Sequence, residues 1–72
     1  MTTKQIIEMA LAYKNMTKAQ LAEKVGWSRQ TLNARINTGK FSVEEWQAFG
    51  EAMGGTVQIT FTFPDGTVVG KQ

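Results

Sequence analysis

The stretch "TKAQLAEKVGWSRQTLNARIN", residues 17–37, holds two short helical patterns on either side of Gly26-Trp27-Ser28. Thr17 reads as an N-cap, and Gln20, three residues on, can reach back to the Thr17 N–H and close a capping box. Met16 and Leu21 flank that box as a hydrophobic staple. Ser28 reads as a second cap with a Trp27–Leu32 staple, although Thr31 stands where Glu or Gln would close the box. Leu21, Ala22 and Val25 form one apolar face, Leu32 and Ile36 another, both at helical spacing. Ala22 is small enough to let the two helices cross closely. Gly26 supplies the positive φ that so tight a turn needs.

The same grammar recurs outward from this segment. "MTTKQI" offers Thr2 as cap, Gln5 to close the box and a Met1–Ile6 pair; "FSVEEW" offers Ser42, Glu45 and Phe41 against Trp46. Helices are therefore expected to start near residues 3, 18, 29 and 43, each cap contributing about 1 kcal/mol. The first should bury Ile6, Ile7, Ala10 and Leu11, with Met9 and Tyr13 at its flank; the fourth should bury Val43, Trp46, Phe49 and Met53 and end at Gly54-Gly55. Thereafter the period falls to two. Val57, Ile59, Phe61 and Phe63 alternate with Thr56, Gln58, Thr60 and Thr62, Pro64-Asp65-Gly66 turns the chain, and Thr67 to Val69 returns. The expected fold is mainly α with a small β element. Residues 1–54 form a four-helix domain, and residues 55–72 form a β-hairpin packed on the same core. A lone hairpin is scarcely stable in water, so its apolar face must cover the helices, a second subunit, or both.

The totals narrow the function. Seventy-two residues suit one domain, and a chain so short buries only about 60% of its unfolded surface. Cysteine is absent, which excludes disulfides and thiolate metal sites; histidine is absent too, which removes the usual triads and most metal sites. Ser28 and Ser42 are caps rather than nucleophiles. Glu44 and Glu45 lie in a first helical turn, where acids favour the macrodipole, and are not a catalytic pair. No enzymatic activity, cofactor or metal is expected. No apolar run reaches the roughly 18 residues of a membrane span, and "MTTKQIIEMA" lacks the layout of a secretory leader, so a cytoplasmic protein is expected. The net charge of +2 conceals a division. Residues 1–40 carry seven cations against two carboxylates, a balance of +5; residues 41–72 carry one against four, a balance of −3. Segregation of this kind suits a chain with one side facing a polyanion.

Residues 17–39 thus form a helix–turn–helix, a motif whose second helix can enter a DNA major groove. The run "TKAQLAEKVGWSRQTLNARINTGKFSVEEW" resembles the lambda repressor/Cro-like (xenobiotic-response-element) group of bacterial and phage regulators, the likeness covering roughly residues 3–53. The resemblance implies that helix 29–37 reads bases while the start of the preceding helix grips phosphate. Two departures stand out. Lys18 occupies a position where the group often has Gln, and Asn37-Thr38-Gly39 has one residue more than the usual Asn-Gly.

The residues themselves support that reading. Amides match the N6–H and N7 pattern of adenine, and guanidinium matches O6 and N7 of guanine. Gln30, Asn33 and Asn37 share a helical face, with Arg29 beside them and Ala34 in their midst. Arg29, Gln30, Asn33 and Asn37 are the expected base contacts; Lys18, Ser28, Arg35 and Lys40 are the expected phosphate contacts. Trp27, Trp46 and Phe49 are expected in the core rather than as stacking platforms. The hairpin edge carries no lysine before Lys71 to blunt it, so Ile59, Phe61 and Phe63 are expected at a homodimer interface. The expected function is sequence-specific binding of double-stranded DNA by a small prokaryotic or phage repressor. The rival is an antitoxin-like, protein-binding module that uses the same shape without DNA, and a third reading is RNA binding through the same basic surface.

Overall fold

The computed structural model describes residues 1–71. Four helices, α1 (Thr3–Lys14), α2 (Lys18–Val25), α3 (Arg29–Thr38) and α4 (Val43–Ala52), precede strands β1 (Ile59–Thr62) and β2 (Val68–Lys71). All four helices begin behind the expected caps. The Thr2, Thr17 and Ser42 side chains each accept the N–H of the residue three further on, and Gln5, Gln20 and Glu45 each accept the cap's own N–H. Ser28 caps without that return bond, because Thr31 has no carbonyl or carboxylate to offer.

Helix ends are equally well closed. Trp27 N–H donates to the Ala22 carbonyl at 2.9 Å and Gly26 N–H to Glu23 at 3.3 Å, the paired bonds of a Schellman motif. Gly26 sits at φ +77°, so a side chain there would be strained although space is free around it. The same paired bonds end α1 at Asn15 and α4 at Gly54-Gly55.

The core comprises Ile7, Leu11, Leu21, Ala22, Leu32, Ile36 and Phe49. Trp27, Phe41 and Trp46 surround Phe49, with Phe41 and Trp27 edge-on to it at 4.9 and 5.4 Å between ring centroids. This aromatic cluster joins the turn before α3 to α4. The expected core was too broad at its margins. Ile6 and Val43 are 45% and 40% exposed, and Met1, Met9 and Tyr13 are open to solvent, so no Met1–Ile6 staple buries the first residue. Ile7 and Leu11 take the one face of α1 that meets the other helices. Ile6, one residue from Ile7, is turned about 100° away from it.

β1 and β2 pair antiparallel, with Phe61 opposite Val69 and Thr62 opposite Val68. Gly66 N–H donates to the Phe63 carbonyl, Thr67 N–H to Asp65 Oδ1, and Phe63 N–H to the Thr67 carbonyl, each at 2.9 Å. β1 is shorter than the alternation predicts, and β2 starts at Val68 rather than Thr67. The hairpin does not pack on the helical core as expected: Ile59, Phe61, Phe63, Val68 and Val69 are all exposed, and none joins the core cluster. The connector explains this. Val57 crosses α4 at Gly50, where an added Cβ would come within 2.9 Å of Val57 Cγ2, and the strands continue beyond the helices. The described chain accordingly measures 42 × 24 × 20 Å. Its radius of gyration is 13.3 Å, where a compact chain of this length would have about 11.2 Å. No helix among the described residues is long and apolar enough to cross a membrane.

Candidate nucleic-acid interface

The turn Gly26-Trp27-Ser28 sets the angle between α2 and α3. Trp27 anchors it by inserting its ring into the aromatic cluster. With Leu32 and Ile36 fully buried, α3 presents Arg29, Gln30, Thr31, Ala34 and Asn37 to solvent and leaves Asn33 half-buried. Arg29 and Asn33 line an open notch of about 440 Å³ with Thr17, Lys18 and Ala19 at the start of α2. Two expected base contacts and one expected phosphate contact therefore share one site. Gln30 and Asn37 are exposed on the same helix but outside the notch. The N–H groups of Lys18 and Ala19 open α2 beside it, in the first turn where a helix favours anions.

Lys18 Nζ lies 3.2 Å from Glu8 Oε2, with both side chains partly exposed. Such a pair contributes about 0–1 kcal/mol, so Lys18 can exchange Glu8 for a phosphate at little cost. Ser28 Oγ accepts the Thr31 N–H at 3.1 Å and donates to Thr31 Oγ1 at 2.8 Å. Its hydroxyl proton is thus already used within the helix. Lys40 is exposed.

Arg35, an expected phosphate contact, is engaged within the chain. Its Nη2 donates to Glu45 Oε1 and Oε2 at 2.8 and 2.9 Å and to the Lys40 carbonyl at 3.2 Å. The guanidinium carbon also lies 5.1 Å from the Trp27 ring centroid and 5.5 Å from that of Phe41. Hydrogen bonds to a carboxylate and contact with two aromatic faces hold this partly exposed side chain against α4. Glu45 serves two partners at once, since Oε1 also accepts the Ser42 N–H at 2.8 Å. That backbone bond, with Arg35 beside it, holds the Glu45 carboxyl below its ordinary pKa. Arg35 and Glu45 therefore brace the last turn of α3 against the first turn of α4.

Local reading could not find this brace, because its partners are ten residues apart and meet only when α3 and α4 pack. It also treated Thr17 only as a cap and passed over Ala19. Both line the notch because a helix N-terminus displays its cap and first turn together.

The model of one protein family, described as winged helix-turn-helix DNA-binding, matches residues 2–38, which span the cap of α1 through the end of α3. The match stops short of α4 and the hairpin. No curated protein and no solved structure matches the chain.

Proposed function

The chain belongs to the winged helix-turn-helix DNA-binding family, and from that premise we propose that it is a small regulator that reads a specific duplex sequence. In this reading α3 enters the major groove, with Arg29, Gln30, Asn33 and Asn37 facing base edges. Lys18, Lys40 and the Lys18 and Ala19 N–H groups hold phosphates and set the register. Ser28, whose hydroxyl is bonded to Thr31, joins them through its backbone N–H at the start of α3. The observation that carries this reading is the notch itself: Arg29 and Asn33 from α3 lie beside Lys18 at the start of α2. A groove-reading helix needs that juxtaposition, because phosphate contacts orient the protein and base contacts choose the sequence.

The protein acts by occupancy in the cytoplasm, as a repressor of the lambda repressor/Cro-like kind, without a catalytic step. One helix–turn–helix makes few contacts, and two-fold symmetric sites read by dimers multiply them. The hairpin residues Ile59, Phe61 and Phe63 supply the interface. Their exposure supports this, since an apolar strand face left open in the single chain is available to a second one.

Selection from a random duplex library, followed by titration of the winner across a salt series, tests the proposal. The expected result is an enriched, two-fold symmetric sequence whose affinity falls steeply with salt through counterion release. Enrichment of nothing, or salt-independent capture of a protein instead, would sink it in favour of the protein-binding rival.

A further inference from the structure

Two apolar surfaces of this chain stand open to solvent. One is the hairpin face on which Phe61 lies opposite Val69, the two being 67% and 56% exposed. The other is a groove of about 500 Å³ between α1 and α4, whose lining includes Ile6, Ala10, Tyr13, Trp46, Met53 and Val57. Val57 connects them, since it lines the groove and lies two residues before Ile59 at the start of β1. Among the described residues, Lys14 is the only charged one in the groove lining, and Asp65 is the only acid in the sequence from 59 to 71.

The chain exposes more surface than its mass requires, enough for an interface. A folded monomer of 8.0 kDa exposes about 4,450 Å² by the usual scaling with mass, whereas this chain exposes 5327 Å². The excess of about 900 Å² is close to the roughly 800 Å² that each partner contributes to a standard protein interface. A small molecule in the groove would leave the hairpin uncovered, and stacked hairpins alone would leave the groove uncovered.

We infer that the groove between α1 and α4 receives the hairpin of a second copy of this chain, in a reciprocal exchange where each copy gives one hairpin and accepts one. This rests on the reading of the protein as a dimer and names the receptor that the reading lacks. Reciprocity matters physically. One-way docking would leave a hairpin free at one end and a groove at the other, and would propagate into a filament; two-fold exchange satisfies both surfaces and closes at two. The groove shares no lining residue with the notch on α3, so dimerisation and duplex binding can coexist.

Cross-linking tests this cleanly because the chain contains no cysteine. In the double variant Tyr13→Cys, Phe61→Cys, mild oxidation should give a covalent dimer, while neither single variant should. A covalent dimer from Phe61→Cys alone would show hairpins meeting each other, and an intrachain disulfide in the double variant would show each hairpin folding onto its own groove; either result overturns the exchange. Sedimentation equilibrium at micromolar concentration should find a dimer. Ile6→Glu and Phe61→Glu should each weaken it by about 100-fold, as loss of an interface anchor does. Ile6 and Phe61 are both exposed, so circular dichroism should show unchanged helix content. A wild-type monomer, or a dimer that survives Ile6→Glu, overturns the inference. The duplex reading is scored separately: monomeric variants should keep salt-dependent binding to random duplex, and its absence from the wild type would count against DNA alone.

Discussion

The helices and the hairpin obey local rules equally well, yet they end in opposite conditions. Every helix has its cap, three have a closed box, and their apolar faces meet around Phe49 and Leu32. The hairpin has a well-formed turn, an Asx bond at Asp65 and a regular ladder, but its apolar residues stay exposed and none joins the helical core. Local grammar therefore determines that an element forms, while only tertiary contact determines whether the element is finished. Residues 3–52 share one buried core, and the hairpin's apolar residues stand outside it.

Four measurements can break or sharpen that contrast. The largest effect is expected where burial is deepest. Phe49→Ala should cost about 3–5 kcal/mol in urea unfolding, while Phe61→Ala, read under dilute monomeric conditions, should cost about 0.5 kcal/mol or less. Equal costs would mean that the hairpin shares the helical core after all. Next in size, Asn33→Ala should lose about 1–3 kcal/mol of duplex affinity and relax preference at one base pair, whereas Lys18→Ala should weaken all duplexes alike and flatten the salt slope by about one unit. The reverse pattern would mean that α3 docks in some other way. Thr17→Ala should then cost about 1 kcal/mol of stability through the lost cap, whereas Thr60→Ala on the exposed strand should stay within about 0.5 kcal/mol of wild type.

The smallest effect is a pH dependence. Because the folded-state pKa of Glu45 is lowered, chiefly by the Ser42 N–H, its ionised form stabilises the fold. That stabilisation is fully present above the ordinary value of 4.5 and is lost as pH falls through the lower folded value. Glu45→Gln keeps a side chain able to close the box, as Gln5 and Gln20 do, but gives up the charge facing Arg35. The stability gap between wild type and this variant should be widest near neutrality and should close below pH 4.5. A gap independent of pH would show that Arg35 and Glu45 are held by shape alone.

Which features were legible in the chain follows from the same contrast. Caps, boxes, helix starts and the Pro64-Asp65-Gly66 turn depend on residues three to five apart, and all were readable in advance. The positions of Arg29 and Asn33 on one face of α3 were readable for the same reason, as were the buried Leu32 and Ile36. The Arg35–Glu45 pair is not legible locally, because a basic residue on a partly exposed face gives no sign of a carboxylate ten positions away. Ile6 was misread because helical period marks which residues are apolar and not how wide a face the neighbouring helices will cover. The hairpin's placement was illegible for a related reason. Alternation shows that one side of a strand is greasy and is silent on what lies against it.

The brace between Arg35 and Glu45 bears on which duplex sequence the proposed interface would select. The chain has only two arginines, and one is paired with Glu45. In the proposed docking, Arg29 is the guanidinium left for guanine, against three amides suited to adenine. On that docking, the duplex sequence this surface selects should be written mainly in A·T pairs, with a single G·C pair marking where α3 begins.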